Sequence, residues 1–265
     1  MSALSLRAPA VAGMFYPDDP AVLANSVDAM LAAAESPPLQ PKALIVPHAG
    51  YIYSGPVAAS AYAVLRPLAS QIHRVILFGP AHRVPVAGLA VPATTAFATP
   101  LGRIKVDSEA IAAATKLPQV AINDSAHADE HSLEVQLPFL QSVLDDFVIA
   151  PFVVGGASGN QVAEVMELLW GGPETLIVVS SDLSHYLPYH VAQQVDGATA
   201  DNIMHKRPLA HYEQACGSAA INGLLESARR RHLEPRLLDQ RNSGDTAGDK
   251  SRVVGYAAFA FTEEA

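Results

Sequence analysis

Histidines standing at the ends of apolar runs are the residues of this chain best suited to chemistry. His48 follows Lys42-Ala43-Leu44-Ile45-Val46-Pro47, and His82 follows Val75-Ile76-Leu77-Phe78-Gly79-Pro80-Ala81. A third run, Leu176-Ile177-Val178-Val179-Ser180-Ser181, leads into Asp182-Leu183-Ser184-His185. Imidazole is the commonest protein ligand for transition-metal ions, so two of them presented alike point to a metal. Pro47 withholds an N–H from any sheet and Gly50 permits a sharp turn, which presents His48 at a strand mouth. Asp182 and His185 stand three apart, a spacing that puts both on one face of a helical turn. There Asp182 would orient His185, and His185 would act as a general base near its ordinary pKa. The competing reading is a helix N-cap, since Ser181, Asp182 and Ser184 all cap well. Capping leaves His185 without a task.

Two further segments carry titratable groups. His127-Ala128-Asp129-Glu130-His131-Ser132-Leu133-Glu134 places His131 and Glu134 on one helical face. Its bland reading is a helix start whose acids complement the positive end of the dipole. Cys216, in Ala215-Cys216-Gly217-Ser218, opens the last long helical pattern, and a helix N-terminus favours the thiolate that binds metals. The alternative for Cys216 is a small buried hydrophobe.

These groups need elements to hold them. Short apolar runs rich in Val and Ile read as strands buried on both faces, and in such sheets ligands bind beyond the carboxyl ends. Besides the three runs, strands are predicted near 88–91, 103–106, 147–154, 234–239 and 252–261. Helices are predicted at 20–34, 55–65, 108–115, 131–140, 162–170, 189–205 and 216–230. Ser54 would open the second of these, with Pro56 in its first turn. Strands and helices alternate throughout, and no linker divides the 265 residues. The fold expected is one α/β domain over 1–265, a three-layer sandwich around a central mixed, largely parallel sheet.

Composition narrows the function classes. Half of the chain is hydrophobic and 16% is charged, enough for a large core and too apolar for disorder. A formal charge of −9 argues against nucleic-acid backbones and anionic membrane surfaces. The one basic run, Arg229-Arg230-Arg231, reads as a favourable charge at a helix C-terminus. One cysteine excludes an intrachain disulfide. Residues 1–9 lack a signal-peptide pattern, and the uncharged stretch 84–102 is broken by Pro85, Pro92 and Pro100. A soluble cytoplasmic protein is expected.

Taken together the motifs resemble the Memo family. Pro47-His48-Ala49-Gly50-Tyr51, Gly79-Pro80-Ala81-His82, Asp129-Glu130-His131-Ser132-Leu133-Glu134, Ser180-Ser181-Asp182-Leu183-Ser184-His185 and Ala215-Cys216-Gly217 occur there in this order. Ala12-Gly13-Met14-Phe15-Tyr16-Pro17 and Gly255-Tyr256-Ala257-Ala258 fit as well, so the resemblance spans nearly the whole chain. Its bacterial and archaeal members are called AmmeMemoRadiSam system protein B. The family is similar to class III extradiol ring-cleaving dioxygenases, non-haem iron enzymes of mixed α/β fold.

The resemblance implies metal ligation by His48, His82 and Cys216, with Asp182 and His185 beside the metal as the acid–base groups. Tyr53, His131 and Glu134 are the candidates for substrate binding at the pocket wall. It also implies partnership with radical SAM and AMMECR-type proteins. Two departures stand out. The family often has a larger residue and then Pro after Cys-Gly, where this chain has Ser218-Ala219-Ala220. The ring-cleaving enzymes, in turn, use a carboxylate as third ligand where Memo proteins have a thiolate. Two imidazoles, one thiolate and an open position suit Fe(II), Cu or Zn²⁺, with iron ranked first, copper second and zinc third. Three functions then compete: an Fe(II) oxidoreductase of the extradiol type acting on a small molecule, a non-enzymatic metal- or peptide-binding protein, and a zinc hydrolase with His185 or Glu134 as base.

Overall fold

The computed structural model describes residues 5–263. Its strands are β1 (Leu6–Arg7), β2 (Pro41–Val46), β3 (Arg74–Pro80), β4 (Leu89–Val91), β5 (Ala96–Thr99), β6 (Gly102–Val106), β7 (Val120–Ile122), β8 (Val148–Val154), β9 (Thr175–Ser180), β10 (His185–Leu187), β11 (Leu233–Asn242) and β12 (Val253–Glu263). They form one sheet with the main order β1-β5-β6-β8-β3-β9-β2-β12-β10; β11 pairs with β12, and β4 joins β8 to β7. The centre, β6-β8-β3-β9-β2, is parallel throughout. Antiparallel pairs close it on one side (β12 on β2) and on the other (β5 on β6). The sheet is mixed and largely parallel, as the continuous apolar runs predict.

Helices cover both faces: α1 (Pro20–Ala33), α2 (Tyr51–Tyr62), α3 (Ser108–Ala114), α4 (Asp124–Ala128), α5 (His131–Glu134), α6 (Leu137–Val143), α7 (Gly159–Leu168), α8 (Tyr189–Met204) and α9 (Ser218–Arg230). Side chains alternate along each strand, so one run supplies two cores. Leu44, Val46, Val75, Leu77 and Val178 pack with α1, α2 and α6. Ala43, Ile45, Ile76, Phe78, Ile177 and Val179 pack with α3, α7, α8 and α9. Each fully buried Leu, Ile or Phe in these layers contributes about 1.5–3 kcal/mol. The central strands and the helix packing fix where their carboxyl ends lie.

Four local expectations are corrected. The helix predicted at 55–65 starts at Tyr51 behind an N-cap Gly50, and Ser54 donates its hydroxyl back to Ala49 O at 2.9 Å instead of capping. Pro56 therefore stands inside α2, where its missing N–H leaves the carbonyl of the exposed Ile52 without a helical donor. The helix predicted at 131–140 is two pieces, α5 and α6, because Pro138 has no N–H to continue the ladder and stands in the first turn of α6; Gln136, between them, donates its side-chain amide to Pro47 O and Ser180 Oγ. The Asp182–His185 segment is not helical: residues 181–184 are irregular and His185 begins β10. Among the described residues, no helix is long and apolar enough to cross a membrane.

Candidate metal centre

The strand order places β3, β9 and β2 side by side, so the loops after all three meet at one rim of the sheet. His82 follows β3, Asp182 and His185 follow β9, and His48 follows β2. Two glycines let other elements close on that rim. A Cβ on Gly79 would stand 2.6 Å from Ser132 Oγ, so only Gly lets α5 lie against β3 and carry His131 beside His82. A Cβ on Gly217 would stand 2.7 Å from the Ser181 side chain, so Gly lets the segment before α9 bring Cys216 to the end of β9. The result is a cleft of about 790 Å³ whose walls include His48, His82, His131, Asp182, His185 and Cys216. Phe15, Tyr53, Tyr186, Tyr212 and Tyr256 supply aromatic wall, and Glu213, Asp249 and Arg252 stand among its lining.

Three imidazoles crowd the floor. Ligand-capable atoms of His48, His82 and His131 lie within 4.8 Å of one another. The His82 and His131 rings stack at 4.6 Å, and His48 stands edge-on to both, at 5.2 and 5.5 Å.

Hydrogen bonds fix which nitrogen faces inward. Ser180 Oγ donates to Ser132 O at 2.6 Å and accepts from Gln136 Nε2 at 2.8 Å. Its hydroxyl proton is thereby spent, so His48 Nδ1, 2.9 Å away, must be the donor. The Nε2 lone pair of His48 then points to Cys216 Sγ at 3.3 Å. His82 Nδ1 donates to Glu130 Oε1 at 2.9 Å, and the His82 backbone N–H donates to Glu130 Oε2 at 2.6 Å. That leaves His82 Nε2 as a second inward lone pair. Imidazoles backed in this way by a hydroxyl or carboxylate are what a metal site requires. The His48–Cys216 separation also fits a shared ion, since ligands at about 2.0 and 2.3 Å would lie roughly this far apart.

Burial sets the charge of these groups. It holds His48 well below the usual histidine range, helped by His82 and His131, and it brings His131 down to about 4. It pushes Asp182 up to about 7 against the pull of the His48 and Ala49 N–H groups. The Cys216 thiol rises to about 12, mainly from burial and then from Asp182. His185 is lowered by partial burial. Glu130 goes the other way, to about 2, because the bonds from His82 and Ser132 outweigh its own burial.

The cleft brings together His48, His82, Cys216, Asp182, His185, Tyr53 and His131. Three expectations change. Glu134 is not on the wall: it is fully buried, paired with Arg7, and bonded by Tyr16 and the N–H groups of Ala10 and Val11. Asp182 does not orient His185; its Oδ1 accepts the His48 N–H at 2.7 Å and so holds the end of β2. Cys216 is not activated by a helix end, since α9 starts two residues later and burial dominates the thiol. His131, expected as pocket wall, lies within the imidazole cluster itself. Glu130 and Gln136 were not legible as site residues. The only local sign of Glu130's role was its place beside His131.

The Memo-like protein family model matches residues 7–260. This chain belongs to the Memo family. A MEMO1 family protein of Ignicoccus hospitalis is 38% identical over 97% of this chain and 98% of its own length. One from Metallosphaera sedula is 34% identical, and one from Aquifex aeolicus also 34%, each over 97% of this chain and 99% and 100% of their own. A solved structure of an uncharacterized protein from Escherichia coli K12 aligns with TM-score 0.45 at 13% identity, over 82% of this chain and 98% of that one. The three-histidine cluster of this Memo protein could hold a metal ion.

Proposed function

We propose that the cleft is the metal centre of an oxidoreductase acting on a small molecule. The observation that carries this reading is the set of three imidazoles with ligand atoms within 4.8 Å, two of them with tautomers fixed from behind. His48 and His82 belong to either ligand set, and the third ligand is His131 or Cys216. Fe(II) heads the candidates, ahead of copper and zinc; once bound, it would supply redox chemistry towards O₂ and a chelating catechol or enediol. His185, on the cleft wall with a lowered pKa, is neutral at pH 7 and able to take a substrate hydroxyl proton. Asp182 stiffens the His48 presentation through its bond to the His48 N–H. Phe15 packs at 4.8 Å on His131 and keeps water from one side of the cluster. The hydrolytic alternative loses one of its two bases, because both oxygens of buried Glu134 are engaged, and keeps the other, His185.

Anaerobic titration with Fe(II), Cu(I) and Zn²⁺, with proton release counted in buffers of different ionisation enthalpy, tests the reading. A thiol must lose its proton to bind metal, whereas a neutral imidazole has none to lose. Release of one proton that disappears in Cys216→Ser assigns the thiolate. Release of none, with affinity lost in His131→Ala, assigns the third histidine. No saturable binding of any of the three ions removes the proposal, and O₂ uptake with a catechol panel then tests turnover.

A further inference from the structure

Among the described residues, three other than glycine have a left-handed backbone: Tyr186, Lys206 and His232. Lys206 and His232 each lie two residues past the end of a helix, α8 or α9, where this conformation is an ordinary terminator. Tyr186 has no such reason. It stands at φ 59° in the edge strand β10, where the register with β12 shifts between His185 and Leu187. A bulky aromatic held there is strained, and strain of this kind collects at ligand sites. Burial does not account for it, since Tyr186 is 63% exposed.

The strained residue is tied to two others on the cleft wall. The Tyr186 ring meets His185 edge-on at 5.8 Å, and the guanidinium of Arg252 lies over the ring at 5.1 Å from its centroid. Among the described residues, Arg252 is the only Lys or Arg lining the cleft. It makes no ion pair among those residues, unlike Arg229 and Arg230 at the end of α9 and Arg231 just after it. The acids nearby do not satisfy it: Asp249 accepts the Ser251 N–H, and among the described residues neither Asp249 nor Glu213 forms an ion pair.

The geometry points to a recognition lip in which Arg252, backed by Tyr186, receives the carboxylate of a small planar substrate. This rests on the small-molecule reading of the cleft given above, and it narrows the substrate class to carboxylated catechols or enediols. A guanidinium with one face on an aromatic ring keeps its edge donors free, and those donors match a carboxylate in two parallel hydrogen bonds. Tyr186 is a positioning residue here, because its ring holds the guanidinium.

Calorimetric titration of the Zn²⁺-loaded protein with 3,4-dihydroxybenzoate, catechol and dopamine tests this without turnover. The carboxylated ligand should bind on the order of tenfold more tightly than catechol, with dopamine weakest. Arg252→Gln should remove that preference while leaving catechol affinity and metal content unchanged. Tyr186→Gly should relieve the backbone, keep or raise Tm, and still weaken the preference. Equal binding of catechol and 3,4-dihydroxybenzoate, tightest binding of dopamine, or a preference that survives Arg252→Gln each overturns the lip while sparing the metal centre. A lower Tm in Tyr186→Gly would overturn the strain, and an undiminished preference in Tyr186→Gly would overturn the role of its ring. Failure of all three ligands to bind metal-loaded protein would remove the small-molecule reading as well.

Discussion

Glu130→Gln separates the support of the metal centre from its ligands. Glu130 is 2% exposed and accepts from His82 Nδ1 at 2.9 Å, Ser132 N at 3.0 Å and His82 N at 2.6 Å. Its acidity, down to about 2, keeps it ionised at any working pH. An amide at this position has one acceptor oxygen for donors that now use both, so the new NH₂ must face a backbone or ring N–H. A hydrogen bond to a charged group is worth about 1.5–3 kcal/mol and a neutral one about 0.5–1.5, so roughly 1–2 kcal/mol of support for His82 is lost. That corresponds to a metal affinity weakened about 5- to 30-fold, within reach of the roughly 10- to 100-fold usual for removing such a partner. Anaerobic competition against a chelator would measure it, with His82→Ala as the floor. Long-range ¹H–¹⁵N spectra of the imidazoles should show His82 losing its fixed Nδ1–H tautomer. Glu130→Gln protein that keeps its circular dichroism and binds metal as the wild type does would refute the assignment.

Glu134→Gln should do the reverse: breaking the buried pair with Arg7 should cost about 3–5 kcal/mol in chemical denaturation while metal affinity stays within about twofold. Acid should destabilise the metal-free protein early. His127 and His131 are held at about 4 against 6.5, so their stability is intact above pH 6.5 and drains away as pH falls towards 4. Each accounts for about 3 kcal/mol by that shift, and His127→Leu should flatten the slope of stability between those pH values. Gly79→Ala should lower Tm and metal affinity together, since the added Cβ displaces Ser132 and with it His131. Cys216→Ser should raise the affinity of the metal-loaded protein for azide, because it removes an anionic donor. Unchanged azide binding would show that the thiol stays out of the coordination shell.

The strand-end histidines were legible because the signals are local. Apolar runs give the strands, and the proline and glycine that follow give the mouths. The parallel sheet then puts His48 and His82 on one rim, and the strand order β3-β9-β2, which no local signal carries, brings them close. What was not legible depends on distant partners. Glu130 reads locally as a helix start, and it does cap α5 through the Ser132 N–H, yet the same carboxylate grips His82, 48 positions earlier. Glu134, one turn on, is captured by Arg7 and faces away from the cleft. Asp182 and His185 have a helical spacing in sequence, but Asp182 is claimed by the His48 N–H, 134 positions away, and no helix forms. For Cys216 the sequence gives an approximate helix start, and the burial that reverses its acidity comes from packing on β9.

The groups buried around the cluster share one electrostatic property. His48 and His131 are driven towards neutral imidazole, while Asp182 and Cys216 are driven towards their protonated forms. Desolvation is the largest cause in all four, so the imidazoles and the thiol around the cluster are held neutral, Asp182 is poised near 7, and ionised Glu130 stands behind His82. A dication held by three imidazoles would be offset by Glu130 and, as it draws Asp182 below its value of about 7, by that carboxylate as well. If Cys216 also gave up its proton, the thiolate would add a further negative charge and leave no electrostatic reason to prefer an anionic ligand. The protonation states of Asp182 and Cys216 together therefore set how strongly this centre favours an anion, and the thiol, with its high pKa and its place 3.3 Å from a ligand-ready nitrogen, is the larger of the two switches.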